Sequence, residues 1–85
     1  MKAVQVKILP NSQDKETVSR KFMVPAELNL ALEKISNELN IDFLSRLKLD
    51  MQMMINGEEI EIDSLSDYSL EDGDRIVLFP GIGGG

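Results

Sequence analysis

The chain has 85 residues, enough for one small domain, and its 42% hydrophobic and 28% charged residues are typical of a folded protein. Fifteen acidic residues against nine basic ones give a formal net charge of −6, which disfavours nucleic acid or an anionic membrane surface as a partner. Cysteine and histidine are absent, so disulfides, zinc–thiolate sites, thiol nucleophiles and the usual general base are excluded. We therefore expect a chain that is not an enzyme and that binds no metal or cofactor itself.

The N-terminal segment carries no signal for secretion or membrane insertion. It alternates polar and apolar residues over 1–8 and lacks the continuous apolar run of a signal peptide. No stretch approaches the roughly 20 apolar residues of a membrane span. We expect a cytoplasmic protein with no membrane partner.

The first quarter of the chain predicts a hairpin. Alternation of apolar and polar residues predicts a half-buried strand over 2–9. Turn-forming residues follow at 10–14, and a second strand is predicted over 17–24, where Pro25 ends it because proline cannot donate to a sheet. The inward side chains expected from these strands are Val4, Val6, Ile8, Val18, Phe22 and Val24.

One amphipathic helix follows the hairpin. Its apolar stripe, at helical spacing, consists of Leu28, Ala31, Leu32, Ile35 and Leu39. Asn29 is the predicted N-cap and Asn40 the predicted end. Residues 41–50 fit neither the helical nor the strand period well, and we interpret them as an irregular crossing connection with one short helical turn. Its apolar residues, Phe43, Leu44, Leu47 and Leu49, are expected to cap the core.

The second half of the chain predicts another hairpin and a final strand. The pair Asn56-Gly57 is a strong hairpin signal, because both central positions of a type I′ turn need a positive φ. A strand is predicted over 51–55 and a return strand over 58–62, with Ile60 and Ile62 inward. A polar loop over 63–69, anchored by Leu65 and Tyr68, and an acidic turn over 71–74 follow. The last strand is predicted over 75–80, with Ile76 and Leu78 on one face and Val77 and Phe79 on the other.

The order of these elements is ββαβββ. Two hairpins that flank one helix are expected to form a single mixed sheet packed on that helix, which is an α+β domain. The last strand is expected to pair parallel with the first. We place this domain at residues 1–80 and a flexible glycine tail at 81–85.

Residues that could carry chemistry are few outside the tail. The acidic runs at 58–61 and 71–74 lack the spacing of a calcium loop, and we interpret them as solvated strand and turn charges. The serines have no histidine to activate them. Met53 is expected in the core and Met54 on an adaptable binding surface.

The glycine tail is the feature with a chemical interpretation. A C-terminal glycine presents a carboxylate without a neighbouring side chain, and glycines before it keep the approach unobstructed. Such a carboxylate can enter a narrow channel, be activated by a nucleotide and then accept a nucleophile. This is the role of a substrate rather than of a catalyst.

Several motifs, in order along nearly the whole chain, resemble the ubiquitin-like β-grasp sulfur carriers. This group includes the small subunit of molybdopterin synthase, the thiamine sulfur carrier and related ubiquitin-like modifiers. The matching segments are Val24-Pro25-Ala26, Ile55-Asn56-Gly57-Glu58-Glu59-Ile60, Leu70-Glu71-Asp72-Gly73-Asp74-Arg75-Ile76-Val77-Leu78-Phe79-Pro80 and the final Gly84-Gly85. The ββαβββ order agrees with the β-grasp fold of that family.

The resemblance implies a mechanism in which partners supply the catalysis. A ubiquitin-activating-type enzyme would use ATP and magnesium to adenylate the Gly85 carboxylate, and a sulfur donor protein would convert it to a thiocarboxylate. The tail residues implied to thread the partner's active site are Ile82, Gly83 and Gly84. Phe79 and Val77, on the sheet face away from the helix, would form a partner-binding patch.

Three functions remain open at this point. The first is a sulfur carrier most like the molybdopterin synthase small subunit, in which case that enzyme's large catalytic subunit is a further partner. The second is a protein modifier that forms isopeptide bonds between Gly85 and target lysines. The third is a plain binding module. The net charge of −6 predicts a partner with a basic docking surface.

Overall fold

A computed structural model describes residues 1–9 and 17–81 of the chain. It contains a five-stranded sheet, two α-helices and one 3-10 helix. In chain order the elements are β1 (Lys2–Ile8), β2 (Val18–Val24), α1 (Leu28–Leu39), α2 (Phe43–Leu49), β3 (Met51–Ile55), β4 (Glu58–Ile60), the 3-10 helix (Ile62–Asp67) and β5 (Arg75–Pro80). The predicted turn over 10–14 lies outside the described residues.

The strands form one mixed sheet in the order β2-β1-β5-β3-β4. β5 is the central strand: it pairs parallel with β1, where Ile8 is in register with Leu78, and antiparallel with β3, where Met53 is in register with Leu78. The two hairpins thus lie on either side of the last strand. The predicted α+β class, the mixed sheet and the parallel pairing of first and last strands are confirmed.

One face of the sheet packs against the helices to form the core. Alternate residues of each strand point to this face, and α1 presents its apolar stripe to it. The buried side chains are Val4, Val6, Phe22, Val24, Leu28, Ala31, Leu32, Ile35, Phe43, Met53, Ile55, Leu65, Leu70, Ile76 and Leu78. The expected core position of Met53 is confirmed, and Ile8 and Leu39 pack at the core's edge.

The start of α1 differs from the prediction. Asn29 is the second residue of the helix rather than its N-cap, a position held by Glu27 without a side-chain hydrogen bond. The reason is tertiary: the Leu28 N–H donates to the Tyr68 carbonyl (3.1 Å), and Glu27 forms a bridge with Ser69. The neighbouring chain thus satisfies a donor that a capping side chain would otherwise serve. The predicted end is confirmed, since Asn40 adopts a left-handed conformation with φ 58°.

The segment 41–50 is not the irregular connection that we predicted. It contains α2, a seven-residue helix whose N-cap is Asp42. The Asp42 carboxylate accepts from the Ser45 N–H (3.2 Å) and from the Ser45 hydroxyl (2.8 Å). These hydrogen bonds hold the pKa of Asp42 below its usual value of 3.8. Phe43, which is fully buried, fixes the helix to the core.

Two further boundaries differ in the second hairpin region. β4 ends at Ile60, and the residues predicted as its end and as a loop form the 3-10 helix. That helix begins with a hydrogen bond from the Ser64 N–H to the Glu61 carbonyl (2.9 Å), and buried Leu65 anchors it. The predicted Asn56-Gly57 turn is confirmed, with φ values of 53° and 87°. Of the helices that the structure describes, none has the length and apolarity that a membrane span requires.

Candidate functional site

The face of the sheet away from the helices carries the two residues predicted for partner binding. Val77 and Phe79 alternate along β5 with the buried Ile76 and Leu78, so they point to the opposite side, where both are half-buried. We call this side the open face. The residues that the ladder places on it are Ala3, Gln5, Lys7, Ser19, Lys21, Met23, Gln52, Met54, Glu59, Arg75, Val77 and Phe79.

Val77 and Phe79 form the apolar centre of the open face together with Met54. Val77 lies in register between Lys7 on β1 and Met54 on β3, while Phe79 is opposite Gln52. Met54 is half-buried, which is consistent with its place among neighbouring side chains on this face. The structure thus brings Val77, Phe79 and Met54 onto one surface, and their partner-binding role remains a prediction.

The end of β5 is held against the start of β3. Pro80 is in register with Met51, and the Gly81 N–H donates to the Asp50 carbonyl at 2.6 Å. A Cβ at position 81 would lie 3.4 Å from that same carbonyl oxygen and 3.6 Å from Cγ of Gln52. These are ordinary van der Waals distances, so a side chain at position 81 would pack against the α2–β3 junction without a clash. The residues predicted to thread a partner's active site and to carry the reactive carboxylate, Ile82, Gly83, Gly84 and Gly85, lie outside the described residues.

Leu49 is an exposed apolar side chain next to this exit point, so the prediction that it caps the core is wrong. It is 84% exposed and directly precedes Asp50, whose carbonyl holds Gly81. Its position could have been recognised once α2 was known. Phe43, Leu44 and Leu47 share the inward stripe of that helix, whereas Leu49 lies off it.

Basic residues surround one side of the apolar centre. Lys7, Lys21 and Arg75 project from β1, β2 and β5 onto the open face and are all exposed. Among the described strand residues, the only carboxylate on this face is that of Glu59, on the opposite edge. We call Lys7, Lys21 and Arg75 the basic flank. Its charge is opposite to the net charge of the chain.

The acidic turn before β5 uses its carboxylates for structure. Asp74 accepts from the Asn56 side-chain amide (2.9 Å) and from the Glu71 N–H (2.8 Å), while Asp72 accepts from the Ala3 N–H (2.8 Å). These bonds connect the turn to the second hairpin and to β1. Within residues 1–9 and 17–81, no group of three or more carboxylates is arranged to hold a metal ion.

A surface groove of about 460 Å³ lies on the helical side of the molecule, between the end of α1 and the start of α2. Glu33, Asn37 and Asp42 are among its lining residues, and none of those lining it is basic. Its lining residues belong to α1, α2 and the segment between them, and include neither a residue of β5 nor Gly81. We therefore place the candidate functional site at the open face and the end of β5.

Comparison with known proteins gives a match among solved structures. No protein-family model and no curated protein matches the sequence. Among solved structures, the chain is similar to the small archaeal modifier protein 1 of Methanosarcina acetivorans, with a TM-score of 0.64 over 100% of this chain and 98% of that one. The two sequences are 19% identical, so what the similarity shows is the fold. Together with the mixed sheet described above, it establishes that this chain has the ubiquitin-like β-grasp fold.

Proposed function

We propose that the protein is a sulfur carrier whose Gly85 carboxylate is adenylated by a partner enzyme and converted to a thiocarboxylate. The observation that carries this proposal is the junction at the end of β5. The strand is held to the Asp50 carbonyl through Gly81, and the sequence then continues as Ile82-Gly83-Gly84-Gly85. A rigid domain followed by three residues without side chains suits a chain end that must enter another protein's active site.

The proposed chemistry takes place in three steps at the Gly85 carboxyl group. A carboxylate oxygen first attacks the α-phosphorus of ATP, displacing pyrophosphate and forming an acyl-adenylate. The terminal sulfur of a donor persulfide then attacks the carbonyl carbon and releases AMP. A thiol finally cleaves the sulfur–sulfur bond, leaving a thiocarboxylate on Gly85 and a disulfide on the donor side. This chain has no cysteine and no histidine, so the persulfide, the thiol and the proton transfers must come from partners.

This assignment makes the chain a substrate rather than an enzyme. Its proposed partners are a ubiquitin-activating-type enzyme that binds ATP and magnesium, and a sulfur donor protein. The sequence motifs before the tail are most like the molybdopterin synthase small subunit, and on that basis the large subunit of that enzyme is the proposed acceptor.

A second function shares the first chemical step. The structurally similar protein from Methanosarcina acetivorans is a modifier protein by name. This favours a role in which the activated Gly85 is joined to the amine of a target lysine. A carrier and a modifier need the same fold and the same terminal glycine. They differ in the nucleophile that attacks the acyl-adenylate.

The shared step is tested with the purified adenylating enzyme of the same organism. We expect Gly85-dependent exchange of pyrophosphate into ATP and an AMP adduct on the intact chain. A variant that lacks Gly84 and Gly85 should lose both signals, while circular dichroism verifies that it is folded. Activation of this variant at the wild-type rate would contradict the proposal.

The two functions are distinguished in material from native cells. A carrier gains the mass difference between sulfur and oxygen at its C-terminus. A modifier leaves a remnant on target lysines after trypsin digestion, and because Arg75 is the last basic residue, that remnant is the peptide Ile76–Gly85. If neither product is found and loss of Gly84 and Gly85 has no cellular effect, the proposed use of the tail is wrong.

A further inference from the structure

The charge of the open face differs in sign from the charge of the molecule. The chain carries a formal net charge of −6, yet the basic flank places three exposed cations beside Val77 and Phe79. Lys7 is the direct neighbour of Val77 across the parallel β1–β5 pair, and Gln5 is in register with both Lys21 and Arg75. The three cations therefore lie together on neighbouring strands.

Within residues 1–9 and 17–81, most carboxylates lie elsewhere on the surface. They lie on the outer side of α1, on the 3-10 helix, in the turn before β5 and on the β4 edge. Those in exposed positions include Glu33, Glu38, Asp63, Asp67, Glu71, Asp72 and Glu58. Among the described strand residues, Glu59 is the exception, because it lies on the open face at the β4 edge. A partner that covers the open face lies closer to the basic flank than to these carboxylates. At physiological ionic strength charges are screened beyond a Debye length of about 8 Å, so the basic flank acts on such a partner more strongly. The net charge is thus a poor guide to what this face attracts.

We propose that the open face docks on an acidic surface of the adenylating enzyme. Carboxylates of the partner meet Lys7, Lys21 and Arg75, and apolar side chains of the partner cover Val77 and Phe79. The inference rests on the proposed function, because that function decides which partner must lie here. Phe79 is two residues from Gly81, where the chain leaves the sheet, so an enzyme that holds the tail also contacts β5.

A protein surface fits this face better than a nucleic acid does. Nucleic acid would use the cations but would leave the half-buried apolar centre uncovered, and the surrounding carboxylates would repel its phosphates. An acidic protein surface with an apolar centre matches both parts of the face. For the open face, this inference is the opposite of the expectation from net charge alone, which is a basic partner surface.

Charge reversal at matched positions tests the proposal. Lys7→Glu and Lys21→Glu alter the open face, whereas Lys48→Glu alters α2, on the helical side, and all three change the net charge by the same amount. The measurement is pyrophosphate exchange catalysed by the purified adenylating enzyme of the same organism, with KM and kcat determined separately. We expect Lys7→Glu and Lys21→Glu each to raise KM by about 10-fold with kcat unchanged, because rim charges act mainly on encounter. Lys48→Glu should stay within about 2-fold of wild type.

The possible outcomes separate this inference from the function on which it rests. If the wild-type chain is not adenylated, both are wrong. If it is adenylated and the open-face variants behave like Lys48→Glu, or bind more tightly than wild type, only the acidic docking surface is wrong. If a DNA or RNA oligonucleotide competes with the enzyme for wild type and not for Lys7→Glu, the face serves nucleic acid and the inference is overturned. Because Lys21 lies on the edge strand β2, Lys21→Glu also serves as the readout if Lys7→Glu disturbs the sheet.

Discussion

At the scale of single residues, Tyr68 shows how the acidic turn affects its surroundings. Its carbonyl accepts from the Leu28 N–H, so the residue joins the start of α1 to the turn before β5. Burial raises the pKa of its phenol above the usual 10.0, and the negative charges of Asp74, Glu58 and Glu71 raise it further. Both effects favour the neutral phenol in the folded protein.

This environment predicts a loss of stability at alkaline pH. Below pH 10.0 the phenol is neutral in both the folded and the unfolded chain, so its contribution to stability is present in full. As the pH rises, the phenol of the unfolded chain ionises first, so its contribution to stability decreases. The decrease ends once the pH exceeds the pKa of the phenol in the folded chain. Tyr68 is the only tyrosine and the chain has no tryptophan, so tyrosinate absorbance reports this one group. We expect a titration midpoint above 10.0; a midpoint at or below that value would contradict the environment described.

The variant Tyr68→Phe provides the control for the lysines, which titrate in the same pH range. The difference between the free energies of unfolding of wild type and Tyr68→Phe isolates the phenol. This difference should begin to change as the pH approaches 10.0 and continue to change above it, in the direction that disfavours the wild type.

At the scale of secondary-structure elements, α2 offers a matched test of burial. Phe43 and Leu49 are its first and last residues, yet Phe43 is fully buried and Leu49 is 84% exposed. Phe43→Ala should destabilise the domain by about 3–5 kcal/mol, because it leaves a cavity in the core. Leu49→Ala should change the free energy of unfolding by less than about 0.5 kcal/mol, as is usual for exposed positions. Urea denaturation of both variants measures this difference, and equal effects would contradict the placement of the helix.

The two helices also show which features the sequence could and could not predict. α1, the strands and the Asn56-Gly57 turn have local signals, namely periodic apolar residues and turn-forming pairs, and the structure follows them. α2 was missed because its seven residues make barely two turns, too few for the helical period to stand out from neighbouring apolar positions. Its N-cap signal, Asp42 followed by Ser45, was present in the sequence, and its hydrogen bonds are visible only in the structure.

The candidate site likewise has features that could be predicted from the sequence and features that could not. The outward position of Val77 and Phe79 was predictable, because strand alternation places them opposite the core residues Ile76 and Leu78. The neighbours of Val77 and Phe79 were not predictable in this way. Lys7 lies 70 positions before Val77 in the sequence, and only the parallel pairing of β1 with β5 brings these two residues side by side.

At the scale of the whole molecule, the sign of the charge on the open face differs from that of the net charge. Among the described residues, the basic flank lies on the open face, whereas the helices, turns and the β4 edge carry most of the carboxylates together with further basic residues such as Arg46 and Lys48. Because acidic residues outnumber basic ones by six, the net effect on the folded state is self-repulsion. Added salt screens this repulsion. We expect the Tm of the wild type to rise by roughly 3 °C between low and physiological ionic strength, as measured by calorimetry.

The charge-reversal variants extend this prediction to the difference between net charge and its distribution. Lys7→Glu and Lys48→Glu both make the chain more negative by two units of charge. Both should therefore have a lower Tm than wild type at low salt and a steeper rise with added salt, since self-repulsion depends on total charge. Their effects on binding should differ, because a partner reads only the face that it covers. A Tm that falls with salt would mean that attraction between unlike charges outweighs repulsion among the carboxylates. We expect the Tm of Lys7→Glu and of Lys48→Glu to respond equally to salt, while KM changes for Lys7→Glu alone. That result would show that stability depends on the charge of the whole molecule and that binding depends on the charge of the open face.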